Sequence, residues 1–168
     1  VRGRVAIVTG SGRGIGRAIA IRLAREGARL VVNAKRGLEE VLETVRLVRE
    51  VGGEAVYVMA DVSTREGCRA LVSEALRAFG GLDILVNNAG VGLYSPFLDM
   101  GDELVDKHIS TDFKSIVYCS QEAARVMSRG GVIVNIASIA GIRPSPGLSA
   151  YGAMKAAVIH LTKTMAVE

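Results

Sequence analysis

A chain of 168 residues, 49% hydrophobic and only 4% aromatic, is long enough to bury one core and must build it from Val, Ile, Leu and Ala. Such a core suits a parallel sheet with helices on both faces. No apolar run reaches the length of a membrane span, no signal-peptide pattern opens the sequence, and the net charge of +4 is scattered along helices; neither membrane nor nucleic acid is expected as a partner, and a cytoplasmic location is.

Val5–Thr9 is predicted as the first strand, followed by a helix from Ile15 to Glu26 that Gly27 stops. Arg29–Asn33 reads as a second strand and Leu38–Val51 as a second helix, ended by Gly52 and Gly53. Ala55–Ala60, Leu82–Asn87 and Val132–Ala137 are three further strands. Helices are expected over Arg65–Phe79, Asp102–Ser128 and from Ala150 to the end. Alternating strands and helices predict right-handed βαβ crossovers and one α/β domain over 1–168, a Rossmann-type doubly wound parallel sheet. Cys68 and Cys119 lie in helical patterns and read as reduced core thiols, and no metal-ligand spacing occurs.

Between the first strand and the first helix stands Thr9-Gly10-Ser11-Gly12-Arg13-Gly14-Ile15-Gly16. Glycines also serve ordinary turns, but at this junction a pyrophosphate needs close backbone approach, and a helix N-terminus offers it free N–H groups. A P-loop is excluded, since no Gly-Lys-Ser/Thr follows. The end of the second strand, Asn33-Ala34-Lys35-Arg36, lacks the carboxylate that holds the ribose hydroxyls of NAD. Lys35 or Arg36, together with Arg13, can instead surround a 2′-phosphate, or form a solvated basic loop. The expected preference is NADP(H), with NAD(H) as the alternative.

Tyr151 and Lys155 stand at i and i+4, on one face of the last helix. A phenol is a poor acid or base at neutral pH, and a nearby ammonium favours its phenolate. Tyr151 can then exchange a proton with a substrate oxygen while a nicotinamide exchanges a hydride. Ser138 follows the fifth strand at the ligand-binding end of such a sheet and can hold that oxygen.

With these residues in view, the chain resembles the short-chain dehydrogenase/reductase family from Val5 to Glu168. Thr9-Gly10 to Gly16 matches the TGxxxGxG cofactor turn, Asn87-Asn88-Ala89-Gly90 the NNAG motif bordering the cofactor, and Ser138, Tyr151 and Lys155 the serine and YxxxK set. Asp61-Val62 looks like the pair whose acidic side chain contacts adenine; as a single residue Asp61 also reads as a helix N-cap. The resemblance implies that Lys155 also binds the nicotinamide ribose, and it implies a homo-oligomer, a dimer or tetramer. It implies hydride transfer between nicotinamide and a carbonyl or alcohol substrate: a 3-oxoacyl thioester, a sugar or a similar ketone. The loops Gly92–Phe97 and Ile142–Pro146 are expected to line the substrate pocket.

Two departures stand out. Asp112 occupies the place of a catalytic asparagine that organises a water relay to the lysine; its charge would raise the proton affinity of Lys155. Measured against the family, the chain stops at Glu168, without the further strand, the substrate-covering loop and the final strand; it is expected to be either a fragment of a longer protein or a truncated form. Both departures motivate an alternative, a dinucleotide-binding module without catalysis.

Overall fold

Four residues, Val5–Val8, form strand β1, and all four are buried although their side chains point alternately to opposite faces. That is possible only if both faces of the sheet are covered, which explains the near-continuous apolar strands. The structure, a computed structural model, describes residues 1–128 and 130–168. After β1 come α1 (Gly14–Arg25), β2 (Arg29–Ala34), α2 (Leu38–Glu50), β3 (Glu54–Met59), α3 (Arg65–Phe79) and β4 (Ile84–Asn87). A 3-10 turn at Phe97–Asp99 precedes α4 (Asp102–His108), a π-helical segment (Ile109–Lys114) and α5 (Ser115–Ala124). β5 (Val132–Asn135), a 3-10 turn (Ile139–Gly141) and α6 (Ser149–Met165) complete the order.

The five strands are parallel in the order β3-β2-β1-β4-β5. The chain therefore winds outward from β1 to β3, crosses back, and continues through β4 to β5. The reversal lies between β1 and β4, the place where sheets of this kind open a crevice at their carboxyl ends. Val8 pairs with Val32 on one side and Val86 on the other, so Thr9, Asn33 and Asn87 stand at one level at the carboxyl end of the sheet. Ala6, Val8, Leu30, Val32 and Val86 pack beneath α1 and α2, while Val5, Ile7, Val31 and Leu85 pack beneath α3 and α5.

The expected elements are present, with shifted ends. The helix expected over Asp102–Ser128 is instead two helices joined by the π segment, and α5 ends at Ala124. A π turn admits one extra residue and re-aims the side chains on either side of it. Asp112 lies in that turn. The last strand stops at Asn135, two residues earlier than expected; Ile136 N still donates to Asn87 O, while its carbonyl accepts from Lys155 of α6. Cys68 and Cys119 are buried free thiols with Sγ–Sγ 2.8 Å, joining α3 to α5. No helix among the described residues is long and apolar enough to cross a membrane.

Candidate active site

The glycine turn is locked from three sides. Thr9 Oγ1 accepts from the backbone N–H groups of Asn88 and Ala89, each at 3.0 Å, and Asn88 Nδ2 donates to Thr9 O and Gly10 O. Asn33, buried at the end of β2, accepts from Gly10 N and donates to Val58 O and Ala60 O. Its side chain thus shapes the turn. Arg17, unremarked in the sequence, donates from Nε to Thr44 Oγ1 at 2.9 Å and from Nη2 to Glu40 O at 3.0 Å, tying the turn to α2. A Cβ on Gly16 would stand 2.5 Å from both Asn88 Nδ2 and Gly10 O, so only glycine lets α1 start this close. The N-terminus of α1 has no side-chain cap and no acidic residue in its first turn, leaving its amide groups to face an anion.

This turn borders a cleft of about 680 Å³. Of the expected cofactor residues, Gly10, Gly12, Arg13, Asn33, Lys35, Arg36, Asp61, Val62, Asn88, Ala89 and Gly90 line it; Gly14, Ile15, Gly16, Tyr151 and Lys155 do not. Lys107 of α4 and Thr111 of the π segment line it too, and the sequence reading had neither. Thr111 Oγ1 is buried without a hydrogen-bond partner among the described residues. An uncapped helix N-terminus, a glycine cradle and flanking cations fit a dinucleotide.

Asp61 is not the cap of α3. Thr64 holds that position, its hydroxyl accepting from Gly67 N, while Asp61 accepts from the amide and hydroxyl of Ser63 and pairs with Lys35. Partial burial pushes the Asp61 carboxyl up, but the Lys35 ammonium and the two Ser63 bonds outweigh this and hold it at about 2. Arg13 reaches Glu40 at 3.4 Å with both side chains exposed. Two of the three expected phosphate-binding cations therefore have acidic neighbours.

At the other end, the 3-10 turn after Ser138 lies tightly on α6. A Cβ on Gly141 would stand 2.7 Å from Ala156 N, and one on Gly152 would stand 2.7 Å from Ala140 O. These two glycines let the Ser138 segment meet the helix that carries Tyr151 and Lys155. Ser138 Oγ accepts from Ala140 N at 3.2 Å. Lys155 is buried, donates to Ile136 O at 2.7 Å, and has its Nζ 5.6 Å from the centre of the Tyr151 ring. Burial lowers the Lys155 pKa, and the charge of Asp112 opposes this without prevailing. The rise in proton affinity expected from Asp112 alone is thus overturned by desolvation.

Asp112 is itself fully buried. Its Oδ1 accepts from Val91 N at 2.8 Å, and its Oδ2 lies 2.6 Å from Nδ1 of His108, also fully buried. Asn87 Nδ2 donates to Ser120 Oγ and to Asn135 Oδ1, and Asn135 Nδ2 donates to Thr162 Oγ1, stitching β4, β5 and α6 together. The loops expected around the substrate meet where Ser95 N donates to Gly147 O. Phe97, Ala140, Pro144, Pro146 and Leu148 help to enclose an apolar cavity of about 400 Å³ beside α6; Arg143 does not line it.

A Rossmann-type sheet with a glycine-lined cleft at its carboxyl end, and a helix that carries a Tyr–Lys pair, defines the class. A family model described as short chain dehydrogenase matches residues 4–168. The chain is 38% identical to the 1-cyclohexenylcarbonyl-CoA reductase of Streptomyces collinus over 99% of its length and 60% of that protein's. It is 38% identical to the 3-oxoacyl-(acyl-carrier-protein) reductase FabG of Staphylococcus aureus, covering 97% of this chain and 67% of that one. The solved structure of carveol dehydrogenase from Mycobacterium avium in complex with NAD superimposes with a TM-score of 0.95 at 30% identity, over 99% of this chain and 66% of that one. This chain belongs to the short-chain dehydrogenase family. It spans between three fifths and two thirds of the length of these relatives.

Proposed function

We propose that the chain carries the dinucleotide-binding and acid–base parts of an oxidoreductase that moves a hydride between NADP(H) and a carbonyl or alcohol. The observation that carries this reading is the buried Lys155, held by Ile136 O one helical turn from Tyr151. A buried ammonium is costly, and a fold keeps one where its charge is used. The bound nicotinamide supplies the hydride donor or acceptor. Tyr151 gives or takes the proton of the substrate oxygen, Ser138 holds that oxygen, and Lys155 presents its charge to the phenol. Lys155 has further donors beyond the one on Ile136 O for a ribose hydroxyl.

The apolar cavity favours a carbonyl on an apolar body, such as a 3-oxoacyl thioester, over a sugar. For the cofactor, Asn33 replaces a carboxylate at the end of β2, Lys35 and Arg36 follow it, and Arg13 of the glycine turn lines the same cleft. The Arg13–Glu40 pair is exposed and weak, so a 2′-phosphate can displace it. Oligomeric assembly as a dimer or tetramer and a cytoplasmic location are part of this proposal and rest on the family resemblance.

The test is Tyr151→Phe in the full-length protein, with NADPH oxidation followed against a panel of ketones and both dinucleotides titrated calorimetrically. Turnover falls by at least about 10²-fold while NADPH affinity stays within about twofold of the parent. Retained turnover removes Tyr151 from the chemistry, and NADH binding as tightly as NADPH removes the cofactor preference. A parent protein that binds NADPH but reduces no carbonyl is a binding module.

A further inference from the structure

Behind the Tyr151–Lys155 pair lie two ionisable side chains with no exposed surface, His108 at the end of α4 and Asp112 in the π segment. Both carboxylate oxygens of Asp112 are engaged, Oδ1 by Val91 N and Oδ2 by His108 Nδ1. A carboxylate can only accept, so in the ionised pair the donor of that bond is Nδ1–H. Nε2 of His108 is buried without a hydrogen-bond partner among the described residues. The imidazole lies against the working phenol, with ring centres of His108 and Tyr151 5.9 Å apart and tilted by 57°. Asp112 neighbours the other working group: a Cβ on Gly90 would stand 2.7 Å from Asp112 Oδ1 and 3.5 Å from Lys155 Nζ, and the charge of Asp112 acts on Lys155.

We propose that His108 is a positioning residue of this site. It holds the Asp112 carboxylate through Nδ1–H, so that Asp112 keeps its grip on Val91 N and on the 90–91 turn at the cleft. It also shares the charge of Asp112, so that Lys155 and Tyr151 face a paired imidazole–carboxylate and not a bare anion in a low-dielectric pocket. The ionisable groups facing the pair are Tyr151 and Lys155 of α6; the 88–91 segment brings only backbone and the Asn88 amide, and Lys107, next to His108 on α4, lines the cofactor cleft. The i,i+4 spacing puts His108 and Asp112 on one face, and Asp112, inside the π segment, reaches Val91 N from there.

The inference deepens the proposed oxidoreductase reading and rests on it, so its test has one arm that needs no turnover. In the full-length protein, a proton spectrum shows one His108 Nδ1–H resonance downfield of the amide envelope, protected from exchange by burial and lost in His108→Gln. The kinetic arm follows alcohol oxidation against pH. His108→Leu lowers kcat about tenfold and moves the acid limb of the profile upward by about one pH unit, because an uncompensated carboxylate disfavours the phenolate. His108→Gln, whose amide can still donate to Asp112, recovers kcat to within about threefold of the parent. Adding Asp112→Asn to His108→Leu returns the acid limb to its original position, as a charge-sharing pair requires. A merely structural histidine would lower the melting temperature of His108→Leu and leave the acid limb in place; that result, or no downfield resonance in the parent protein, overturns the proposal. If the parent transfers no hydride, the oxidoreductase reading has failed, while the resonance still reports whether the pair exists.

Discussion

The two ends of the crevice handle charge in opposite ways. Around the end of β2, charges are exposed or, for Asp61, half-buried, and are paired with one another: Arg13 with Glu40, Lys35 with Asp61. Around Tyr151, ionisable side chains are buried: Lys155, Asp112 and His108 have at most 3% of their surface exposed, and each is fixed by a backbone group or by another member of the set. Exposed pairs are screened and weak, so they can open for a ligand and re-form afterwards. Buried charges cost several kcal/mol to keep and do not rearrange cheaply. The first arrangement suits selection among cofactors, the second a fixed electrostatic setting for proton transfer.

The sharpest way to break the contrast is Lys155→Met. At a buried site the unbranched apolar side chain removes an ammonium whose desolvation the fold must otherwise carry, so stability holds or rises. Turnover falls by about 10³-fold, within the range assigned to a positioned acid–base group. A melting curve beside a rate measurement separates the two effects. A variant that is destabilised by several kcal/mol and retains its turnover would mean that Lys155 is a structural cation.

Much of this division was legible in the sequence, though unevenly. The glycine turn and the Tyr–Lys spacing are local, so their residues alone declared them. The role of Asn33 was not legible, because its three bonds go to Gly10, Val58 and Ala60, which only the packed sheet brings together. Lys35 read as a free cation because its partner, Asp61, follows a different strand. The π segment carries neither proline nor glycine to mark it, so a straight helix was the natural expectation over Asp102–Ser128. A signal was nonetheless present. The buried stripe Ile116, Cys119 and Ala123 continues backward at four-residue spacing through Asp112 and His108. Polar side chains on a core-facing stripe point to a buried pair.

A middle-sized effect comes from the seam between the sheet and α6. Asn135→Ala removes the acceptor of Asn87 Nδ2 and the donor to Thr162 Oγ1. Asn87 keeps Ser120 and Thr162 keeps Val158 O, so no group is left wholly unpaired. The cost is about 1–2 kcal/mol, seen as a fall in melting temperature of about 2–4 °C per kcal/mol. Because the seam holds α6 against β5, Tyr151 loosens with it and kcat drops in parallel. An unchanged melting temperature would mean that α6 is held by its contacts with the Ile139–Gly141 turn, α4 and the π segment and not by this seam.

The smallest effect belongs to the exposed end and tests whether its charges are as adjustable as their exposure implies. Lys35→Ala removes the main ion-pair partner of Asp61, whose folded pKa of about 2 lies below the ordinary carboxylate value. A depressed carboxyl stabilises the fold above its unfolded pKa, near 4, and loses that contribution as pH falls toward 2. The stability gap between parent and variant is therefore fully present at pH 6 and closes between about pH 4 and pH 2. Since the Lys35 side chain is 47% exposed, screening keeps the gap under about 1 kcal/mol, and added salt shrinks it further. NADPH affinity in the same variant falls less than tenfold and NADH affinity stays unchanged, because Arg13 and Arg36 remain beside the cleft. A gap of several kcal/mol, or one indifferent to salt, would place Lys35–Asp61 with the buried charges and erase the distinction between the two ends.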